Sequence, residues 1–98
     1  MALSIKWSKY ADKKFDKILE YLIATWGENT TKAFVNRTYE YINLLSKYPE
    51  IGTLENPEKN IRGLVIVKQI TVFYKVKKNN IVILNFYDNR QKPSSWSV

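Results

Sequence analysis

The sequence of 98 residues contains no cysteine and no histidine. Without cysteine the chain has no disulfide, no thiolate zinc site and no thiol nucleophile. Without histidine it lacks the commonest metal ligand and the usual general base at neutral pH. Any catalysis must therefore use lysine, arginine, tyrosine or carboxylate groups, and we expect neither a metal nor a cofactor.

Long apolar runs are also lacking. No stretch approaches the ~20 apolar residues that a membrane-spanning helix needs. The first ten residues, MALSIKWSKY, place Lys6 and Lys9 where a signal peptide has its apolar segment. These features predict a cytoplasmic protein. Because so short a chain has room for one hydrophobic core, we expect a single domain over residues 1–98.

The net charge of +7 is unevenly distributed along the chain. Residues 1–58 hold eight basic and eight acidic residues, whereas residues 59–98 hold eight basic residues and one acidic residue, Asp88. A small domain with one neutral half and one basic half is suited to an anionic partner. The candidates are nucleic acid, an acidic peptide and a membrane surface.

A short strand and a helix are predicted at the start of the chain. The strand covers residues 2–7 and ends at Ser8, a good helix N-cap. Apolar residues then recur with helical spacing from Ala11 to Trp26, and Gly27 supplies a left-handed stop.

A second helix follows after about three residues, so the two helices must lie antiparallel. Asn29 or Thr30 can cap this helix, and Pro49 ends it because proline cannot donate to the helical hydrogen bonds. The aromatic residues assigned to the core are Trp7, Phe15, Trp26 and Phe34.

The second half of the chain predicts a sheet. Residues 49–60 contain turn residues without a usable period and indicate a connecting loop. Residues 61–68, 70–77 and 81–88 are rich in β-branched and aromatic residues and are separated by tight turns. The predicted fold class is therefore α+β, of order β-α-α-β-β-β, with a helical hairpin packed on one face of an antiparallel sheet.

The hydrophobic pattern selects the pairing of these three strands. For the second hairpin it favours a three-residue turn over residues 78–80. If Lys68 and Gln69 occupy the first turn, Arg62 lies opposite Lys75. The inner face, towards the helices, then contains Ile61, Val65, Val67, Ile70, Val72, Tyr74, Val76, Val82, Leu84 and Phe86. The outer face, which we call the mixed face, contains Arg62, Leu64, Ile66, Lys68, Thr71, Phe73, Lys75, Lys77, Ile83, Asn85 and Tyr87.

The mixed face is the candidate working surface. Like charges directly opposite each other, as predicted for Arg62 and Lys75, destabilise a sheet, so a purely structural face would have an acid at one of the two positions. The alternative to a binding role is a solvated face whose long charged side chains protect against aggregation. Phe73 and Tyr87 could stack on bases between cations, or could form a minor core under the tail or a partner segment. The candidate binding residues are Arg62, Phe73, Lys75, Tyr87, Arg90 and Trp96.

Several short motifs occur in a fixed order along the chain. They are Ala11-Asp12, Trp26-Gly27, Ala33-Phe34, Tyr48-Pro49-Glu50-Ile51-Gly52, Ile61-Arg62-Gly63-Leu64, Val72-Phe73-Tyr74-Lys75-Val76 and Asp88-Asn89-Arg90-Gln91-Lys92-Pro93. In this order the chain resembles the RelE/ParE superfamily of small toxins from bacterial type II toxin-antitoxin systems, over essentially its whole length. The resemblance implies a growth-arresting toxin held inactive by a cognate antitoxin, in a toxin-antitoxin hetero-oligomer, with a flexible antitoxin segment covering the basic side.

The resemblance implies one of two toxic mechanisms. RelE-like members cut messenger RNA on the ribosome, using a lysine pair on the strand after the loop, an arginine early on the next strand, and an arginine and a tyrosine near the C-terminus. ParE-like members poison DNA gyrase without hydrolysis. In this chain the strand after the loop has one lysine, Lys68, in place of the pair, and Thr71 lies near the position of the first arginine. Arg90 matches the arginine near the C-terminus, and Trp96 stands in place of the tyrosine. Trp26-Gly27 also looks more like the ParE branch, so gyrase inhibition is favoured.

Three hypotheses remain open. The first is a gyrase inhibitor whose contact residues are Arg62, Phe73, Lys75 and Arg90. The second is a ribosome-dependent endoribonuclease in which Lys68 and Arg90 stabilise charge and Lys59 or Lys75 serves as acid or base. The third is a module that binds nucleic acid non-specifically. The expected partners are the cognate antitoxin and either gyrase or the ribosome with its message, and no membrane.

Overall fold

The structure is a computed structural model and describes residues 2–89. In this range two helices pack against one face of a five-stranded mixed sheet of strand order β1-β5-β4-β3-β2. The elements are β1 (Ser4–Trp7), α1 (Lys9–Trp26), α2 (Glu28–Lys47), β2 (Thr53–Asn56), β3 (Ile61–Val67), β4 (Ile70–Val76) and β5 (Asn80–Asp88). The predicted fold class, a helical hairpin on one face of a sheet, is confirmed.

Local capping signals set the ends of the helices. Ser8 is the N-cap of α1, as predicted, and its Oγ accepts a hydrogen bond of 3.0 Å from a backbone N–H of the first turn. Gly27, with a φ of 91°, ends α1 and directly precedes α2. The prediction that Asn29 or Thr30 caps α2 is wrong, because the left-handed glycine reverses the chain within one residue and α2 begins at Glu28. Neither helix is long and apolar enough to cross a membrane.

The core lies between the helical hairpin and the inner face of the sheet. Its large buried residues include Phe15, Phe34, Leu45, Ile66, Val72, Tyr74, Ile81, Ile83 and Phe86. Trp7 packs edge-on against Phe15 with ring centroids 5.2 Å apart, so three of the four predicted core aromatics are confirmed. The fourth assignment is wrong: Trp26, at the last position of α1, is 63% exposed.

Two edge strands extend the predicted three-stranded sheet. β1 pairs with β5 in parallel, so the sheet is mixed and not purely antiparallel. β2 lies within the segment predicted to be a loop and pairs antiparallel with β3. The predicted first strand, over residues 2–7, is confirmed as β1, whereas a four-residue edge strand such as β2 leaves little periodic signal in a sequence.

A β-bulge at Ile66 changes the pairing of β3 with β4. Beyond this bulge Arg62 lies opposite Tyr74 and not opposite Lys75. Because successive residues of a strand point to opposite faces, Arg62 and Lys75 lie on opposite faces of the sheet. The predicted cross-strand pair of cations is therefore wrong.

Because of the same bulge, residues 61–66 of β3 lie on the faces of the sheet opposite to those predicted. Leu64 and Ile66 pack against the core, whereas Val65 points outwards and is 54% exposed. The sequence pattern assigned these three residues to the opposite faces. Four consecutive apolar residues, 64–67, obscure the alternation that would have shown the phase of the strand.

The hairpin between β4 and β5 differs from the prediction in a similar way. Its turn contains two residues, 78–79, instead of three, since the backbone N–H of Lys77 bonds to the carbonyl of Asn80 at 2.8 Å. A bulge at Leu84 then returns Phe86 to the inner face. The inner residues of β5 are Ile81, Ile83 and Phe86, and the prediction of Val82 and Leu84 at inner positions is wrong.

Candidate functional site

The outer face of the sheet holds three of the predicted site residues, Phe73, Lys75 and Tyr87. The rings of Phe73 and Tyr87 are 6.5 Å apart between centroids and are only 3% and 4% exposed. In this conformation neither ring presents an open face on which a base could stack. Their burial favours the alternative of a minor core on this side of the sheet.

The ring of Phe73 lies across the neighbouring strand at Gly63, its partner in the β3–β4 pairing. A Cβ at Gly63 would stand 3.0 Å from Cε1 of Phe73 and 3.4 Å from Cγ of Glu55. The ring therefore needs a residue without a side chain beneath it. This close approach orients Phe73 towards β2 and away from solvent.

Arg62 is occupied on the other side of the sheet. Its Nη1 donates to the carbonyl oxygens of Glu50, at 3.3 Å, and Gly52, at 2.8 Å. These carbonyls belong to the loop that follows α2. Arg62 is therefore a positioning residue for this loop and is not available on the outer face in this structure.

Tyr74 holds the same loop. Its hydroxyl accepts a hydrogen bond of 3.0 Å from the N–H of Gly52 and donates one of 2.7 Å to the carbonyl of Pro49. Burial raises the pKa of the Tyr74 hydroxyl, while the hydrogen bond from Gly52 and the charge of Arg62 oppose that rise. The hydroxyl therefore keeps the proton that it donates to Pro49.

Of the lysines suggested for ribonuclease chemistry, Lys68 lies far from the other two, Lys59 and Lys75. Lys68 stands at the β3–β4 turn, next to the start of β4, whereas Lys75 is near the far end of that strand. At the usual rise of a strand, the five steps from Ile70 to Lys75 alone span about 17 Å. Lys59 lies in the β2–β3 loop, near the end of β4 that contains Lys75. Arg90 and Trp96, the remaining predicted site residues, lie outside the described residues.

A groove of about 870 Å³ lies between the helices and the end of the sheet that contains the β3–β4 turn. Apolar residues such as Leu22, Phe34 and Ile70 line it, together with the exposed ring of Trp26. Lys14, Lys17 and Arg37 add positive charge to the lining, and Glu40 and Asp88 add negative charge. The sequence analysis missed this groove. The signal for it was Trp26, a large aromatic residue at the very end of the apolar stripe of α1, where the helix ends.

Arg37 joins α2 to the sheet beside the groove. Its Nε donates a hydrogen bond of 2.7 Å to the carbonyl of Ile66, and its Nη2 lies 3.2 Å from the hydroxyl of Tyr41. The guanidinium also lies over the ring of Tyr41, 5.3 Å from the centroid. The groove is thus bordered by a side chain whose position is determined by three contacts.

Known structures share this fold. A chain of the "Chromosomal ParDE TA system from P. aeruginosa" is similar with a TM-score of 0.73 and 22% identity, over 89% of this chain and 96% of that chain. A YoeB/ParE toxin from Agrobacterium tumefaciens has a TM-score of 0.64 and 12% identity, with coverages of 88% and 98%. The YoeB dimer from Staphylococcus aureus has a TM-score of 0.62 and 18% identity, with coverages of 89% and 97%.

The sequence itself identifies the family. No curated protein matches the sequence, and identities at this level to solved structures establish the fold alone. The family model described as the ParE toxin of the type II toxin-antitoxin system, parDE, matches residues 5–93, which is nearly the whole chain. The resemblance found in the sequence motifs is thereby confirmed, and the chain belongs to the ParE toxin family of type II toxin-antitoxin systems.

Proposed function

We propose that this toxin arrests growth by inhibiting DNA gyrase and that it does not cleave RNA. The observation that supports the proposal is the outer face of β3, where Ile61, Gly63 and Val65 stand. Cleavage of RNA requires groups that activate a 2′-hydroxyl and stabilise a doubly charged phosphorane. An apolar outer face of β3, on the strand where RelE-like cleavers have a lysine pair, provides neither.

The separation of the basic residues supports the same proposal. Lys68 and Lys75 stand at opposite ends of β4, and Arg62 is held by loop carbonyls on the inner side. These residues cannot converge on one phosphate. We place the contact with gyrase on the outer face around Lys75. Arg62 then affects toxicity indirectly, because it holds the loop after α2 in position.

Toxins of this family act with a cognate antitoxin, and we place a segment of that antitoxin in the groove. The groove combines apolar lining at Leu22 and Phe34 with the exposed ring of Trp26, as an amphipathic segment requires. Lys14 and Lys17 favour acidic residues in that segment. Aromatic anchors in such grooves often dominate binding energy.

Two assays with the purified toxin test the mechanism. We expect loss of supercoiling by purified gyrase and no cleavage of ribosome-bound message. Lys75→Gln should weaken the inhibition of gyrase, whereas Lys13→Gln, on an exposed position of α1, should leave it unchanged. Cleavage of the message with normal supercoiling would overturn the proposal.

Growth measurements test the role as a toxin. Expression of this chain alone in a bacterium should arrest growth, and co-expression of the neighbouring antitoxin gene should restore it. Normal growth under expression of the soluble, folded chain would contradict the assignment of toxicity.

A further inference from the structure

Lysines gather at the end of the sheet where the β4–β5 turn and the β2–β3 loop lie side by side. The loop is joined to the last residue of β4 at Asn60, whose carbonyl accepts the N–H of Val76 at 3.2 Å and whose Nδ2 donates to the carbonyl of Val76 at 2.9 Å. The lysines of this surface, which we call the lysine end, are Lys6, Lys59, Lys75, Lys77 and Lys78. Its members come from β1, the β2–β3 loop, β4 and the β4–β5 turn.

Strand pairing places two of these lysines in one row. Val82 pairs with Lys6 in the parallel β1–β5 ladder and with Lys75 in the antiparallel β4–β5 ladder. Paired residues point to the same face, so Lys6 and Lys75 both lie on the outer face, two strand spacings or about 10 Å apart. Lys77 follows two residues after Lys75, about 7 Å along the chain and on the same side.

This positive charge is not neutralised within the described chain. Across residues 2–89 none of the five lysines forms an ion pair, and the ion pair that is present joins Lys32 to Glu28 on α2. Lys6, Lys59, Lys77 and Lys78 are exposed. An acidic residue, Glu58, precedes Lys59 in the loop without pairing with it. Cations collected on one surface raise the local concentration of anions.

We propose that the lysine end binds the phosphate backbone of double-stranded DNA, without gyrase and without regard to sequence. Lysine contacts phosphate as a point charge, and contacts to phosphate carry no sequence information. Proteins that bind single strands use exposed aromatic rings as stacking platforms. The aromatic rings of this face, Phe73 and Tyr87, are buried, so the surface fits a duplex whose bases remain stacked.

A further comparison favours a DNA duplex. Recognition of duplex RNA depends on contacts to 2′-hydroxyl groups. The nearby Ser4 hydroxyl is engaged with the carbonyl of Asn79 at 3.4 Å, so it is not free to contact a 2′-hydroxyl.

The test compares two double variants in binding to a short DNA duplex of random sequence, without gyrase, as a function of salt. Lys75→Gln with Lys77→Gln removes two charges from the lysine end and keeps a polar side chain at each position. Lys13→Gln with Lys47→Gln removes two charges from the helices. At 0.1 M salt each lost phosphate contact costs about eightfold in affinity, so the first variant should bind roughly 60-fold more weakly. Its salt slope should fall by about 2, while the second variant stays within about twofold of the wild type.

Several results would overturn the proposal. Equal losses for both double variants would mean that net charge alone drives binding. Tighter binding to single-stranded DNA or to duplex RNA of the same length would mean that this nucleic acid, and not duplex DNA, is the ligand of the lysine end. If a poly-glutamate peptide displaced the DNA duplex as well as unlabelled duplex does, the ligand would be an acidic protein. If the first variant does not fold, as judged by circular dichroism, Lys78→Gln in the turn takes its place and should cost about eightfold.

Discussion

Arg37 on α2 donates a hydrogen bond of 2.7 Å to the backbone carbonyl of Ile66, the residue at which β3 bulges. A bulged residue is displaced from the regular ladder, so a partner outside the sheet is needed for its carbonyl. The bulge in turn puts Arg62 on the inner face and leaves Lys75 on the outer face. A side chain of the helical hairpin thereby supports the arrangement of charge on the sheet.

Arg37→Gln should lower the free energy of unfolding by about 1 kcal/mol, because it removes a charged donor from a carbonyl that has left the ladder. The measurement is urea unfolding followed by circular dichroism. Lys32→Gln is the control, since its ion pair with Glu28 is largely exposed and should contribute less than about 0.5 kcal/mol. Equal effects of the two substitutions would show that the bulge does not depend on Arg37.

Tyr74→Phe should cost about 1–3 kcal/mol in the free energy of unfolding. The substitution leaves the buried N–H of Gly52 and the carbonyl of Pro49 without their common partner. Tyr48→Phe, at a residue that is 58% exposed, is the matched control and should have little effect. A negligible loss in Tyr74→Phe would mean that water replaces the hydroxyl without cost.

The cost of Tyr74→Phe should also depend on pH. Burial raises the pKa of Tyr74 in the folded protein, so above about pH 10 the unfolded chain loses this proton first. The stability that the hydroxyl contributes is fully present below that pH and is lost as the pH rises through the folded-state pKa. The difference in unfolding free energy between wild type and variant should therefore shrink as the pH rises above about 10. A difference that grows over this range would contradict the direction of the shift.

Gly63→Ala should destabilise the protein by about 1–3 kcal/mol through overpacking against the ring of Phe73. Phe73→Leu removes the part of the ring that would collide with the new methyl group. A double-mutant cycle should therefore show a favourable coupling, with Gly63→Ala costing less in the Phe73→Leu background. Additive effects would mean that the alanine is opposed by something other than the ring.

Trp26→Ala should weaken binding of the antitoxin by at least about tenfold while changing the stability of the free toxin by less than about 0.5 kcal/mol. The reason is that Trp26 is 63% exposed in the free chain and lines the groove. Isothermal titration calorimetry with the antitoxin measures the affinity. Tyr10→Ala is the control, because Tyr10 is similarly exposed and lies outside the groove. An equal loss of antitoxin affinity in Tyr10→Ala would mean that the antitoxin binds outside the groove.

Features that depend on neighbours in sequence were predictable. The cap at Ser8, the stop at Gly27 and the extents of β3, β4 and β5 follow from side chains and turns a few residues apart. The phases of β3 and β5 were not predictable, because each strand has consecutive apolar residues and accommodates a bulge. A bulge moves the residues beyond it to the other face of the sheet. Because apolar residues occupy both odd and even positions of these strands, the sequence shows no apolar–polar alternation from which the bulge could be located.

The sequence by itself determined the family, the order of the helices and of every strand except β2, and a net charge of +7. Only the tertiary structure decided which of these charges share a surface. Lys6 belongs to the electrically neutral half of the sequence, yet the parallel pairing of β1 with β5 brings it into the row of Lys75. Arg62 belongs to the basic half, yet the bulge turns it inwards to loop carbonyls. Strand pairing and bulges are set by packing between distant segments, and local patterns along the chain do not contain that information.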